Sequence, residues 1–122
     1  MSKFRYWNEN PEHEKHNDCV TRAITLISKL PYQKVRSKLR HTARLLDCEK
    51  LCPTCYSFFI QEVLGGIPKN CDGMTVGEFA DLHPYGTYLI RIKGHLTAII
   101  NNTIYDIWDC RSRFCDIAWE VR

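Results

Sequence analysis

The fold of this chain is decided by the stretch from Gly94 to Asp109, which reads GHLTAIINNTIYDIWD. Apolar and polar residues alternate on both sides of Asn101-Asn102, and such alternation is typical of half-buried β-strands. Asparagine tolerates positive φ angles, so the Asn-Asn pair predicts a two-residue hairpin turn. The stretch therefore predicts two antiparallel strands, one from His95 to Ile100 and one from Thr103 to Trp108.

The register of this hairpin predicts a histidine–carboxylate pair. With a two-residue turn, Asp106 lies opposite Thr97, and His95 lies two residues before Thr97. Because alternate residues of a strand share a face, the three side chains point the same way. Asp106 is then a diagonal neighbour of His95, close enough for a carboxylate to reach an imidazole. Asp109 falls on the opposite face, so we expect Asp106 to be the partner.

The residues before the hairpin have helical periodicity. Apolar positions recur at three- and four-residue intervals through four segments. The predicted helices are one from Asp18 to before Pro31, one from Tyr32 to Leu46, one beginning after Thr54 and stopped by Gly65-Gly66, and one from Val76 to Leu82. Asp18, Thr54 and Thr75 are the expected N-caps. Alternation predicts two more strands, Thr87 to Lys93 and Phe114 to Val121.

This order of elements predicts one α+β domain over residues 1–122. Helices come first and antiparallel strands follow, which is the pattern of α+β proteins, and the length fits a single domain. We expect an irregular N-terminal arm over residues 1–17, a helical part over 18–82 and an antiparallel sheet over 87–121. The helices are expected to pack on that sheet.

Composition excludes several classes of protein. Hydrophobic residues make up 44% of the chain, enough for an apolar core without disulfide or metal staples. The 17 basic and 14 acidic residues give a net charge of +3 without a concentrated basic stripe, which argues against nucleic acid as a partner. No segment resembles a secretory signal, and no apolar run is long enough to span a bilayer. With an odd number of cysteines, seven, these features predict a reducing, cytoplasmic location and no membrane partner.

Cys19 occupies the position at which a helix activates a thiol. It follows Asn17-Asp18 at the predicted start of the first helix. A helix N-terminus presents unpaired N–H groups and a partial positive charge, and both favour the reactive thiolate. A thiolate nucleophile needs an imidazole base, and the imidazole needs an acceptor on its other nitrogen. Cys19, His95 and Asp106 supply these three groups, although a buried, inert cysteine is the alternative at such a position.

These residues resemble those of papain-like enzymes. A cysteine opens the first helix, a histidine opens a later strand, and the next strand carries a polar residue. The string Asp18-Cys19-Val20-Thr21-Arg22-Ala23 is similar to the nucleophile helix of ovarian-tumour-type deubiquitinases and of bacteriocin leader peptidases. Small papain-like proteins of bacteria and phages carry a similar Asn-Asp-Cys start and a Gly-His strand ending in Tyr-Asp-x-Trp-Asp.

The resemblance implies a papain-like fold and a cysteine peptidase or isopeptidase. Cys19 would be the nucleophile, His95 the base and Asp106 the orienting residue, with a thioester intermediate, a peptide or protein substrate and no cofactor. Deamidation and acyl transfer use the same triad and stay open. A catalytically silent binding module of the same fold is the rival interpretation.

The second oxyanion donor departs from the family pattern. Many papain-like enzymes place a glutamine several residues before the cysteine, next to the cysteine's own backbone N–H. This chain has no glutamine there. The candidates upstream of the nucleophile are Asn17 and His13, with Asn10 and His16 as further possibilities.

A cluster of cysteines predicts an alternative function. Cys48, Cys52 and Cys55 form a C-x-x-x-C-x-x-C pattern, and Cys71 follows. Four thiolates suit a structural zinc ion. Such sites usually pair two short C-x-x-C knuckles, whereas Cys71 stands alone. We therefore expect a protein without bound metal, and a small zinc-binding protein is the alternative.

Overall fold

The computed structural model describes residues 1–11, 18–49 and 52–122. Within these residues the chain has four α-helices and a six-stranded sheet, so the α+β class is confirmed. The helices are α1 (Cys19–Ser28), α2 (Tyr32–Leu46), α3 (Pro53–Phe58) and α4 (Val76–Leu82), and a π-helical segment (Phe59–Val63) continues α3. The strands are β1 (Lys3–Tyr6), β2 (Ile67–Lys69), β3 (Thr87–Ile92), β4 (His95–Ile100), β5 (Thr103–Asp106) and β6 (Ile117–Glu120).

The sheet is mixed, which corrects the expectation of a purely antiparallel one. Its strand order is β1-β5-β4-β3-β6-β2, and β1 runs parallel to β5 while the other neighbours are antiparallel. The predicted irregular arm was therefore wrong for Lys3–Tyr6, whose pairing partner begins at Thr103. A four-residue edge strand has too little periodicity to stand out, because its hydrogen bonds depend on a distant segment.

Two further strand boundaries differ from the prediction. The last strand starts at Ile117, because Phe114 and Cys115 pair with the residues before α4 instead of with the sheet. The short strand β2 lies inside the region expected to be helical and carries Pro68. Proline is tolerated there because β2 is the edge strand next to β6.

The apolar residues form one cluster on each face of the sheet. The first cluster joins α1, α2 and α3 to the sheet residues Leu89, Leu96, Ala98 and Trp119. The second joins α4 to Ile90, Ile92, Ile99 and Ile104. Both faces of the central strands are therefore covered, which explains why β3 and β4 are apolar almost throughout.

The helix ends follow local chemistry with one correction. Thr75 and Glu78 form the reciprocal hydrogen bonds of a capping box at the start of α4, as the sequence predicts. The expected cap at Thr54 was wrong, because α3 starts at Pro53 with Cys52 before it. Proline is favoured at the first helical position, where its missing N–H costs nothing. No helix among the described residues has the length and apolar character needed to cross a membrane.

Candidate active site

The first group of the site is Cys19, the first residue of α1. The first hydrogen bond of α1 runs from the Arg22 N–H to the Asp18 carbonyl at 2.9 Å. The N–H groups that precede it, including that of Cys19, point out of the helix end without an acceptor within the helix. These groups and the helix dipole favour a negative charge on the Cys19 sulfur.

Asp18 precedes Cys19 and fixes the start of the helix by side-chain contacts. Its carboxylate does not cap α1, contrary to the expectation from sequence. It accepts hydrogen bonds from the guanidinium of Arg22, from Asn10 Nδ2 at 3.0 Å and from the Tyr32 hydroxyl at 2.6 Å. A buried carboxylate needs such partners. The contacts tie the strand-to-helix connection, α1 and α2 together immediately behind the nucleophile.

The second and third groups are the imidazole of His95 and the carboxylate of Asp106. Both Asn101 and Asn102 have positive φ angles, 46° and 66°, and the strands pair in the predicted register, with Ile100 opposite Thr103. His95 Nε2 lies 2.6 Å from Asp106 Oδ2, so the predicted contact is confirmed. Asp109, by contrast, binds Arg111 at the surface.

The electrostatics of Cys19 and His95 favour an ion pair. Burial raises the pKa of the Cys19 thiol, but a hydrogen bond to His95, a backbone hydrogen bond from Leu96 and the positive charges of His95 and Arg22 outweigh it, and the pKa lies below 9.0. Burial lowers the pKa of His95, while hydrogen bonds to Asp106 and Cys19 raise it to about 9. With Nε2 engaged by Asp106, Nδ1 is the ring nitrogen left for the thiol. Near neutral pH these shifts favour a thiolate beside an imidazolium.

Asp106 is held rigidly by its own partners. Its side chain is 4% exposed, and Oδ1 accepts the Ile107 N–H at 2.7 Å. Arg22 Nη2 approaches Oδ1 at 4.0 Å, and the Cys110 thiol lies 3.9 Å from Oδ2. A continuous set of polar contacts thus runs from Cys19 through His95 and Asp106 to Arg22 and Asp18. Such a network fixes the orientation of the imidazole.

Two open clefts meet at His95. One cleft, of about 190 Å³, is lined by Cys19, Val20, Pro53, Tyr56, Arg91, Gly94 and His95. The other, of about 530 Å³, is lined by Ile92, Lys93, Gly94, His95, Trp108, Ser112, Arg113, Phe114 and Asp116. Trp108 and Phe114 are exposed, and the Trp108 ring packs on His95 with a centroid distance of 5.1 Å. An extended ligand could occupy both clefts with its middle over the imidazole.

The predicted oxyanion donors fall largely outside the described residues. Asn17, His13 and His16 lie in the segment 12–17, so the structure does not place them. Asn10 is described and buried, and its amide donates to Asp18. Of the predicted oxyanion donors, the backbone N–H of Cys19 is the one that lies within the described residues at the start of α1.

The remaining cysteines form two separate groups, which corrects the four-cysteine zinc set. The Cys48 thiol interacts with the thiols of Cys52 and Cys55. Burial and the interaction with Cys52 raise the pKa of Cys48, and the hydrogen bond to Cys55 opposes that rise. Cys71 hydrogen-bonds instead to Cys115, on the other side of the sheet. A tetrahedral site would need all four sulfurs around one point.

One group of potential metal ligands is found among residues 1–11, 18–49 and 52–122. It consists of His95, Asp106 and Cys110, whose ligand atoms lie within 4.8 Å of one another. Burial raises the pKa of Cys110 to about 12 in the protein without metal. A metal there would also take His95 Nε2 away from Asp106, so the group fits the Cys19–His95 pairing better than metal binding.

Sequence reasoning missed Arg91 and Tyr56, which line the cleft beside Cys19. The signal for Arg91 was present, because it is the one charged residue in the otherwise apolar strand TYLIRI. A charge in a largely buried strand is costly unless it is paired or hydrogen-bonded. Tyr56 lies in α3, and nothing in the sequence of that helix indicated which of its residues would lie beside Cys19.

The chain has no match among the known proteins with which it was compared: no protein-family model, no curated protein and no solved structure is similar to it. The papain-like resemblance therefore rests on the order of Cys19, His95 and Asp106 and on the motifs around them. It stays a prediction.

Proposed function

We propose that this chain is a papain-like thiol hydrolase that cleaves peptide or isopeptide bonds. Cys19 is the nucleophile, His95 the general base and acid, and Asp106 the residue that orients His95. The observation that carries the proposal is the hydrogen bond between His95 and Asp106 beside Cys19, which opens α1 and lines the same cleft as His95. This is the nucleophile–base–orienter arrangement of acyl-transfer enzymes.

In the first half of the reaction the Cys19 thiolate attacks the substrate carbonyl carbon. The electron pair of the C=O bond moves to oxygen, where the Cys19 N–H at the helix end can stabilise it. The tetrahedral intermediate then collapses, and His95 donates its proton to the departing amine. The product of this half is a thioester between Cys19 and the acyl part of the substrate.

In the second half a water molecule releases the acyl group. Neutral His95 takes a proton from the water as its oxygen attacks the thioester carbonyl. The C–S bond breaks, and the thiolate and imidazolium are restored. Asp106 keeps Nε2 protonated through both halves, so Nδ1 always faces the sulfur.

The clefts support a peptide as substrate more than a small amide. Because they meet at His95, residues on both sides of a scissile bond have a surface to contact. The exposed rings of Trp108 and Phe114 offer apolar contact on one side. A small amide would leave the larger cleft unused.

The test combines reactivity with turnover. Limited iodoacetamide labelling at mildly acidic pH should modify Cys19 before the other cysteines, because its pKa is lowered. A peptide library read by mass spectrometry should then be cleaved by the wild type and by Cys52→Ala, but not by Cys19→Ala. Cys52 is a suitable control because it is also partly exposed.

Intact-mass measurement of a quenched reaction should detect the thioester as an added acyl mass on the wild-type chain. If Cys19 is no more reactive than Cys52 and no peptide is cut, the proposal is wrong. That outcome would favour the catalytically silent binding module.

A further inference from the structure

Arg91 is a cation placed beside the proposed nucleophile. It lies on β3, is partly buried and lines the 190 Å³ cleft together with Cys19, Tyr56 and His95. Its cross-strand neighbours are Leu96 on β4 and Ile117 on β6. Neither neighbour can neutralise the guanidinium, so the sheet itself does not explain the charge.

The guanidinium of Arg91 forms no hydrogen bond or ion pair with any residue in the described part of the chain. The other partly or fully buried cations near the site are engaged, as Arg22 is by Asp18. At the surface, Arg111 pairs with Asp109 and Lys69 with Glu120. The hydrogen bonds of Arg91 are made by its backbone, whose carbonyl accepts the Asp116 N–H at 2.8 Å. A partly desolvated guanidinium without an anion is costly, so a ligand is the expected partner.

The residues that line the cleft favour a ligand with a negative charge. None of its seven lining residues carries a carboxylate, and both ionisable nitrogen groups, Arg91 and His95, are basic. Burial raises the pKa of Tyr56, and the positive charge of Arg91 opposes that rise. An anionic group entering the cleft would be attracted by Arg91 and by the imidazolium of His95, while the Cys19 thiolate is the one negative group among the lining residues.

The size of the cleft limits how much of a ligand enters. Sites that enclose a whole small molecule usually exceed about 300 Å³. At 190 Å³ this cleft suits a single side chain or chain end of a larger substrate. The planar guanidinium binds a carboxylate through two parallel hydrogen bonds, a geometry that a lysine does not offer.

We infer that Arg91 is a specificity-determining residue that binds a substrate carboxylate next to the scissile carbonyl. The inference rests on the proposed function, because it assigns the substrate class of the same site. The carboxylate belongs to an acidic side chain or to the C-terminus of the substrate. Arg91 acts on binding and does not take part in bond making.

The first test uses two alkylating reagents that differ in charge. Iodoacetate carries a carboxylate and iodoacetamide does not, while both react with the same Cys19 thiolate. Their rate ratio therefore cancels any change in the pKa of Cys19. At low ionic strength Arg91→Gln should lower the iodoacetate-to-iodoacetamide ratio by about three- to tenfold, since a nearby charge is removed.

The matched control is Arg40→Gln, the same change on the exposed surface of α2, which lines neither cleft. It should leave the ratio unchanged, and Arg91→Lys should keep part of the preference. If Arg91→Gln fails to fold by circular dichroism, Arg91→Met preserves the apolar contacts of the arginine stem and serves instead.

The second test separates the two carboxylate sources with cleavable peptides. One pair differs by Glu against Gln beside the scissile bond, and the other by a free against an amidated C-terminus. Arg91→Gln should raise KM for the acidic member of one pair, with little change in kcat. The pair that responds identifies the source.

The outcomes distinguish this inference from the proposed function. If Cys19 is not the fastest-reacting thiol, the proposed function and the inference fail together. If Cys19 reacts fastest but its reagent ratio is the same in the wild type and Arg91→Gln, only the inference is overturned.

Discussion

Replacing Asp106 by Asn tests the central contact of the site. The amide has nearly the same shape and can still accept the Ile107 N–H, but it removes the negative charge 2.6 Å from His95 Nε2. An amide NH₂ facing Nε2 also favours the opposite tautomer of the ring. We therefore expect a folded protein with a less basic imidazole and a less reactive Cys19.

The size of the effect follows from the pKa of His95. That pKa is raised from 6.5 to about 9, which corresponds to about 3 kcal/mol in favour of the imidazolium. The imidazole is 10% exposed, so solvent screens this interaction only weakly. In the variant burial still opposes protonation and only the contact with Cys19 still favours it, so the pKa of His95 should fall well below 9. Each unit by which this pKa falls lowers the ratio of protonated to neutral His95 about tenfold at a given pH.

The loss of the imidazolium should raise the pKa of the Cys19 thiol in the variant. A lowered thiol pKa means that the thiolate persists as the pH falls below 9.0 in the wild type. Without the imidazolium, the pH profile of iodoacetamide alkylation should move to higher pH. At neutral pH the rate at Cys19 should decrease at least about tenfold.

The assay is peptide mass spectrometry of Cys19 alkylation from pH 5 to 10, with an NMR titration of the His95 Cε1 proton. Asp109→Asn is the matched control, because Asp109 binds Arg111 at the surface and faces away from His95. The reasoning is refuted if Asp106→Asn retains the wild-type alkylation profile and a His95 pKa near 9, or if Asp109→Asn reproduces the loss.

The stability of the fold depends on the Asp18–Arg22 pair and on the apolar cluster around α1. Arg22→Met leaves the buried Asp18 carboxylate without its cation and should lower the free energy of unfolding by about 3–5 kcal/mol, measured by urea denaturation. If the two residues act as one unit, the double variant Arg22→Met/Asp18→Asn should lose no more stability than Arg22→Met alone. Additive losses would contradict this. Ile24→Ala removes a fully buried side chain of α1 and should lower the free energy of unfolding by about 2–5 kcal/mol. Leu45→Ala, at a position 68% exposed, should change it by no more than about 0.5 kcal/mol. Similar losses in both variants would rule out the first apolar cluster as the source of stability.

The helices and the central strands were predictable because their signals are local. Val20, Ala23, Ile24 and Ile27 recur at helical spacing, and all four are buried in α1. The capping box of Thr75 and Glu78 is a contact within one turn. In each case the residues that decide the structure lie within a few positions of one another, so the sequence itself displays the interaction.

The edges of the sheet were not predictable for the opposite reason. The pairing of β1 with β5 joins residues about a hundred positions apart, and β1 has only four residues. The strand expected from Phe114 begins at Ile117, because Phe114 pairs with Thr75 in the segment before α4. Short strands take their structure from a partner that local patterns do not reveal.

By itself the sequence determined the His95–Asp106 pair, because two asparagines with positive φ set a hairpin register in which alternate side chains share a face. It also placed Cys19 at a helix start, where backbone N–H groups are unpaired. Only the tertiary structure decided that α1 docks so that Cys19 meets His95, that Arg22 and Asp18 lie behind them, and that Arg91 borders the same cleft. The physical reason is that the hairpin is built by local steric and hydrogen-bonding rules, whereas the cleft is formed by packing between segments far apart in the chain.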